Sequence, residues 1–264
     1  MLGKLLKYEI KSTARTFLPF FVAILGLSIV NKISMMFFAN FDFMNIPKFV
    51  LMTTYILMTA AAFVMCIIVT IQRFYKNLLG NEGYLMFTLP VSTTANILSK
   101  AITAFLWIAA TALVTLFSIF VMIPEYGWIK DIPPAWASVA AEFQSIFGIS
   151  LNLLVVLFCV VSIISVILFI FEIYLAISIG QLSNNHKLLA SFGTYVGLYM
   201  VGQIISMVAM SIIGLNFFKT TATAVDGMHM MLLLLIYALV MGCVLAVVYF
   251  FLSRYLLGKR LNLE

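Results

Sequence analysis

The sequence predicts an all-α integral membrane protein with six transmembrane helices. Of its 264 residues, 64% are hydrophobic and only 9% are charged, whereas a soluble domain has roughly 25% charged residues. Runs of about 20 or more residues with almost no charge recur along the chain, and each can cross the hydrocarbon layer as one helix. These runs are continuous rather than alternating, which favours helices over a β-barrel. The predicted spans are 17–38, 49–71, 101–123, 149–180, 188–215 and 230–252.

The distribution of Lys and Arg predicts that both termini are cytoplasmic, because basic residues in short flanks are retained on that side. On this orientation the outer flanks hold only Lys32, Lys48, Lys130 and Lys219. The cytoplasmic flanks hold the larger set: Lys4, Lys7, Lys11, Arg15, Arg73, Lys76, Lys100, Lys187, Arg254, Lys259 and Arg260. This bias accounts for the net charge of +6 without a nucleic-acid partner. We expect the protein in the cell (plasma) membrane, as a single transmembrane domain over 1–264.

Residues 1–16 form a predicted amphipathic helix ahead of the first span. At roughly 100° per residue, Lys4, Lys7, Lys11 and Arg15 fall in one narrow stripe, and apolar side chains lie opposite. Such a helix lies in the membrane interface, with its basic stripe toward anionic lipid headgroups or a cytoplasmic partner. A plain basic flank of the first span is the alternative.

The segment 73–100, between spans two and three, is predicted to be cytoplasmic. It is rich in Phe, Tyr, Leu and Met, which are not expected in a solvated loop. Gly80 and Gly83 predict a turn, and Ser92 after Pro90 predicts the N-cap of the next helix. We expect a helix, a turn and a second short helix that docks onto another protein. Packing on the lipid surface is the alternative.

The predicted extracellular loop 124–148 contains an amphipathic run at 135–147. Tryptophans in and near this run are typical of segments anchored at headgroup level. We assign the loop no binding role.

Small and polar residues within the predicted spans are candidates for packing or function. Gly193 and Gly197 have GxxxG spacing, which indicates a packing face inside the chain or a dimer interface. Glu172 is the one acidic residue well inside a predicted span, and an acid in the membrane is a functional candidate by default. If span four projects into the cytoplasm, Glu172 has a structural or interfacial role instead. Asn152 and Gln203 are expected to form hydrogen bonds between helices.

Several chemistries have no support in the sequence. It contains no GxxxxGK[ST] phosphate-binding loop, no HExxH and no GxSxG, so ATP binding by that loop and the common hydrolase mechanisms are not indicated. The cysteines and histidines show no metal-ligand spacing. We therefore expect no catalytic residue, no metal and no cofactor bound by this chain itself.

Three stretches carry a resemblance to a known family: MLGKLLKYEIKSTAR at the start, FYKNLLGNEGYLMFTLPVS before span three, and RYLLGKRLNLE at the end. They resemble the permease subunits of type-2 ABC exporters, in the form found as separate short chains in Firmicutes. With the six-span layout, the resemblance covers the whole chain. EGYLMFTLPVS is its most specific part.

The resemblance implies an elbow helix over 1–16 and a coupling helix within 74–89, which sits in a groove of a separately encoded ABC ATPase. The coupling residues that it implies are Phe74, Tyr75, Leu78, Leu79, Glu82, Gly83 and Tyr84. ATP and Mg would be bound by the partner ATPase. The permease would form a homodimer or pair with a related chain, because ATP sites form between two ATPase subunits. The implied cargo is an amphiphilic peptide, such as an antimicrobial peptide, or a drug.

Two other functions remain open at this point. One is a membrane-embedded immunity or binding protein that sequesters an amphiphilic peptide without transporting it. The other is a secondary transporter that uses Glu172.

Overall fold

The structure, a computed structural model, describes residues 2–37, 45–76, 92–123, 127–183, 186–217 and 224–259. These residues form α-helices and one short 3₁₀ helix, Gly127–Asp131, and none of them lies in a β-strand. The helices are α1 (Leu2–Phe37), α2 (Asn45–Phe74), α3 (Thr93–Met122), α4 (Ile132–Phe147), α5 (Leu151–Gly180), α6 (Lys187–Phe217) and α7 (Ala224–Lys259). All but α4 are long and apolar enough to cross a membrane, which gives six candidate spans. The predicted all-α membrane fold is confirmed at this level.

The first helix differs from its prediction. We expected an interfacial helix over 1–16 and a separate span from residue 17, but α1 runs unbroken from Leu2 to Phe37, through Pro19. The reason is that Glu9, Thr13 and Phe17 are all buried and follow one another at four-residue spacing. They therefore share one helix face, and packing against that face continues across the expected boundary.

The third helix begins before the start of the predicted third span. Ser92 caps it as expected, because its side-chain oxygen accepts a hydrogen bond from the backbone N–H of Ala95 at 3.3 Å. The helix then starts at Thr93 rather than at residue 101, which adds about two turns. The turn and second short helix that we expected between α2 and α3 fall on residues 77–91, outside the described residues.

The predicted amphipathic run at 135–147 is helical and belongs to α4. This helix ends at Gly148, whose φ of 69° is left-handed and whose N–H donates to the Gln144 carbonyl at 2.9 Å. A glycine in this position satisfies a free carbonyl of the last turn without strain. The chain can then turn directly into α5.

The chain forms two compact units, Met1–Ile129 and Lys130–Glu264. In the first unit α1, α2 and α3 pack pairwise, and the contact between α1 and α3 is the most extensive. Its apolar core contains Ile24, Tyr55 and Ala62. Met122 of α3 belongs to the same cluster, so all three helices contribute to the core.

Polar side chains also join the helices of the first unit. Hydrogen bonds between membrane helices are individually modest, at about 0.6 kcal/mol on average, but each requires one relative position of the two helices. Those observed are Tyr55 Oη with Ser118 Oγ at 2.6 Å, Cys66 Sγ with Thr111 Oγ1 at 3.3 Å, and Asn31 Nδ2 with the Leu51 carbonyl at 3.3 Å. They set the register of α1, α2 and α3 along their length.

In the second unit α5 is the central helix, with α6 and α7 packed against it and α4 in contact with α5 and α7. The last third of α5 is buried on nearly all sides, from Ile170 to Gly180. The Trp136 indole N–H donates to Asn152 Oδ1 at 2.9 Å. The prediction that Asn152 bonds to another helix is thus confirmed, with α4 as that helix.

Candidate functional site

A cluster of three charged side chains lies at the N-terminal end of α1. Lys100 Nζ of α3 donates to Glu9 Oε1 of α1 at 2.7 Å, and Arg73 Nη1 of α2 lies 3.8 Å from Glu9 Oε2. The side chains of Lys100 and Glu9 are only 1% and 9% exposed, whereas that of Arg73 is 30% exposed. We call Glu9, Arg73 and Lys100 the charged cluster. It joins all three helices of the first unit.

The partly exposed member of the cluster has a second contact with α1. Arg73 Nη2 donates to Ser12 Oγ at 2.6 Å. The guanidinium therefore bridges Glu9 and Ser12, which lie on neighbouring turns of α1. This contact fixes the end of α2 against the start of α1.

A hydrogen-bonded aromatic layer lies next to the charged cluster. The Trp107 indole N–H donates to Thr13 Oγ1 at 2.6 Å, and Thr13 Oγ1 donates to the Glu9 carbonyl at 2.8 Å. The Trp107 ring stacks on Phe17, with centroids 4.6 Å apart and planes inclined by 15°. Such pairs contribute about 0.5–1.5 kcal/mol beyond the apolar area that they bury. The layer lies next to the pair of Glu9 and Lys100, further along α1 and α3.

The local sequence explains why these groups meet. On α1, Glu9, Thr13 and Phe17 share a face because they are spaced by four residues. On α3, the cap at Ser92 sets the start of the helix, and Lys100 then lies one turn after Asn96. Each ion pair therefore depends on the register of α1 against its neighbour.

Asn96 is part of the buried wall beside Lys100. Asn96 is only 1% exposed, and its side-chain Nδ2 has no acceptor among the residues that the structure describes. A buried amide donor without an acceptor costs free energy, about 1–3 kcal/mol.

Glu9 was not predicted as a site residue from the sequence. In the sequence it stands between Lys7 and Lys11, and we assigned no role to it. At 100° per residue it falls on the apolar side of the helix, opposite the basic stripe; that position was the available signal, because an isolated acid on a buried face requires a cationic partner. Lys100 and Arg73 were considered only as contributors to the orientation of the chain.

The predicted basic stripe is exposed in the structure. Lys4, Lys7, Lys11 and Arg15 are all accessible, and none of them belongs to the charged cluster. They lie on the side of α1 away from the buried face of Glu9 and Thr13. This position is compatible with contact to headgroups or to a partner.

The structure covers only part of the predicted coupling residues. Phe74, at the end of α2, is fully buried, so its side chain packs inside the first unit instead of offering an exposed contact. Tyr75 is half-buried. The remaining members, Leu78, Leu79, Glu82, Gly83 and Tyr84, lie outside the described residues.

Glu172 lies in the second half of α5, within a candidate span. It is half-buried. Phe171 beside it packs edge-on against Phe250 of α7, with centroids 5.5 Å apart. Glu172 therefore follows directly after a contact between α5 and α7.

The predicted glycine packing face is not where the second unit packs most closely. Gly193 and Gly197 are exposed, and a Cβ added at either would meet no atom within 4 Å. The close approach occurs at Gly180, where an added Cβ would lie 2.5 Å from the Ser191 backbone nitrogen. Gln203 is also exposed. Packing between α5 and α6 thus depends on a glycine at the end of α5.

No metal site is found in the described part of the chain, where no three His, Cys, Asp or Glu side chains come together. Cys66 is buried, whereas Cys159 and Cys243 are exposed.

The fold and these clusters define an all-α, multi-pass membrane protein. Comparisons of the chain with models of protein families, with curated proteins and with solved structures found no match. A functional proposal therefore depends on this chain's own residues.

Proposed function

We propose that the chain is the permease subunit of an ATP-driven exporter of the type-2 ABC kind, which works with a separately encoded ATPase. The observation that carries the proposal is the charged cluster. Through it, Glu9 on the amphipathic start of α1 contacts the end of α2 and the beginning of α3. The segment that the resemblance identifies as the coupling helix lies between those two ends in the sequence. A push on that segment would therefore reach all three helices of the first unit.

We further propose that both termini are cytoplasmic and that the protein resides in the plasma membrane. The excess of Lys and Arg in the flanks assigned to that side supports this orientation. It puts the exposed stripe of Lys4, Lys7, Lys11 and Arg15 on the same side as the segment 77–91. An external ATPase and the inner leaflet would then meet the same face of the protein.

In the proposed mechanism, ATP closes a dimer of ATPase subunits, and the coupling helices docked in their grooves move with it. The spans then shift between two packings that open the path to one side or the other. A dimer of permeases, of this chain or with a related one, matches the two ATPase subunits. The proposed cargo is an amphiphilic peptide or drug.

Co-expression of the tagged chain with an ABC ATPase encoded beside it tests the proposal. We expect the two proteins to co-purify after detergent extraction. Replacing Glu82, Gly83 and Tyr84 by alanine should abolish co-purification while the chain still inserts into the membrane. Glu142→Ala is the matched control, because Glu142 is exposed on α4 in the predicted outer loop.

The outcomes separate the possible functions. An ATPase that remains bound to the triple variant refutes the coupling assignment. If no neighbouring ATPase binds the unaltered chain, the permease proposal fails. Protection of cells against an amphiphilic peptide without any ATPase would then favour the immunity or binding protein.

A specific observation favours one second candidate, a secondary transporter. Glu172 is a half-buried acid within a candidate span. Acids in this environment are typical of proton and ion pathways. In that case transport would be driven by an ion gradient and would require the Glu172 carboxyl.

A further inference from the structure

Glu9 contacts the two helices that lie on either side of residues 77–91 in the sequence. Arg73 is in the last turn of α2, and Lys100 follows the first two turns of α3. Both side chains point to the same carboxylate, one at 2.7 Å and the other at 3.8 Å. A single side chain of α1 therefore links the ends of two helices that are separated in the sequence.

The contacts of Glu9 are buried and held by neighbouring hydrogen bonds, as expected of a rigid link between helices. The pair of Glu9 and Lys100 is almost completely buried, so water cannot replace either partner without opening the interface. Each carboxylate oxygen has a different cation, and Ser12 holds the Arg73 guanidinium from the next turn of α1. The Trp107 indole holds Thr13, one turn further along. Displacing α2 or α3 alone would break one of these bonds.

We propose that Glu9 is a positioning residue, which makes α1 and the adjoining ends of α2 and α3 move as one body. In the exporter, a displacement applied between α2 and α3 is then passed to α1, and through α1 to the first span. This inference rests on the proposed function for the origin of the displacement. The link itself is a property of this chain and can be measured without the ATPase.

The experiment measures distances within the first unit in the full-length chain. The native cysteines are replaced by serine, and a pair of new cysteines is introduced for nitroxide labels. One pair replaces Lys7 and Lys76, and the other replaces Lys7 and Thr93. The labelled proteins are measured in lipid nanodiscs. None of the labelled positions is buried. Electron paramagnetic resonance should show one narrow distribution for each pair. In Glu9→Gln we expect both distributions to become at least twice as broad.

Two further variants separate a link from a general loss of folding. Glu142→Gln is the same substitution at an exposed site and should leave both distributions narrow. Glu9→Gln combined with Lys100→Gln also removes the buried cation that has lost the Glu9 carboxylate, and two amides can still form a hydrogen bond. In this double variant the distance from Lys7 to Thr93 should become narrow again. The distance from Lys7 to Lys76 should stay broad, because Arg73 has lost its carboxylate.

Addition of the partner ATPase with ATP and vanadate tests the transmission of movement. In the unaltered chain both distances should remain the same with and without the nucleotide, because the helices move together. In Glu9→Gln the distance from Lys7 to Lys76 should shift when the nucleotide is added. A defect that is only structural would broaden the distribution without a response to nucleotide.

Three results would overturn the inference. The first is that both distributions stay narrow in Glu9→Gln. The second is a shift between Lys7 and Lys76 on adding nucleotide to the unaltered chain. The third is that Glu9→Gln broadens the distributions without any response to nucleotide. Each of these results leaves the binding of an ATPase untouched. Conversely, if no ATPase binds, the exporter proposal fails while the distances without nucleotide still decide whether Glu9 links the helices.

Discussion

Removing either charge of the buried pair should reduce the stability of the first unit, but by unequal amounts. In Glu9→Gln the Lys100 ammonium, whose side chain is 1% exposed, loses the carboxylate that it contacts at 2.7 Å. Breaking a buried ion pair from one side costs about 3–5 kcal/mol. In Lys100→Gln the Glu9 carboxylate keeps Arg73 at 3.8 Å. We therefore expect a smaller loss there, about 2–3 kcal/mol.

The double variant Glu9→Gln with Lys100→Gln removes both charges of the buried pair. We expect it to lose only about 1–2 kcal/mol, the value of a hydrogen bond and the weaker Arg73 contact. The double variant should thus be more stable than Glu9→Gln alone. This order of stabilities is a stricter test than any single value, because it depends on the ion pair and not on the size of the side chains.

The assay is reversible unfolding in mixed micelles with increasing sodium dodecyl sulfate. Tryptophan fluorescence is a suitable probe, because Trp107 stacks on Phe17 next to the charged cluster. Glu142→Gln serves as the control and should unfold like the unaltered protein. The reasoning is refuted if Glu9→Gln and Lys100→Gln each cost less than about 1 kcal/mol, or if the double variant is the least stable of the three.

Two other substitutions test the second unit. Gly180→Ala would bring a Cβ to 2.5 Å from the Ser191 backbone nitrogen, so we expect a loss of stability of about 1–3 kcal/mol from overpacking. Gly193→Ala is the matched control, because a Cβ there would meet no atom within 4 Å. Equal stability of the two variants would contradict the close approach. Glu172→Gln should leave ATPase-dependent efflux of an amphiphilic dye unchanged in cells. If efflux is lost in this variant but survives deletion of the ATPase, the secondary transporter is the better proposal.

Local signals in the sequence were sufficient for the class of fold and for some helix ends. The long uncharged runs predict six spans, and six candidate spans are present. The cap at Ser92 was predicted from its position after Pro90 and is confirmed by its bond to Ala95. These features depend on residues that are close in the sequence. They can therefore be read without knowing which helices are neighbours.

The charged cluster could not be predicted in the same way. Glu9 and Lys100 are 91 residues apart, and nothing local to either residue identifies the other. The continuity of α1 has the same cause. Residues 1–16 are amphipathic by themselves, which predicts an interfacial helix, but the face of Glu9, Thr13 and Phe17 is buried by α3 and carries the helix onward. Tertiary packing therefore explains why α1 does not break after residue 16.

The glycines show what a local motif cannot decide. Gly193 and Gly197 have the spacing of a packing motif, and both are exposed with no atom near an added Cβ, so the dimer interface stays a prediction. Gly180 has no such motif, but an added Cβ there would meet the backbone of α6. The end of α5 and the first turns of α6 bring the two backbones together at this point. Spacing along one helix cannot report that geometry.

The distribution of polar contacts suggests why the first unit would move as one body. Lipid provides no hydrophobic drive for helices to associate, so packing and polar bonds between helices must set their register. In the first unit such bonds recur along the length of the helices. From the charged end onward they are Glu9 with Lys100, Thr13 with Trp107, Cys66 with Thr111, Tyr55 with Ser118, and Asn31 with the Leu51 carbonyl. Sliding any helix by one turn would break several of them together. The three helices can therefore shift as a group at much lower cost than they can shift past one another, and a force applied at Arg73 and Lys100 would reach the far end of α1.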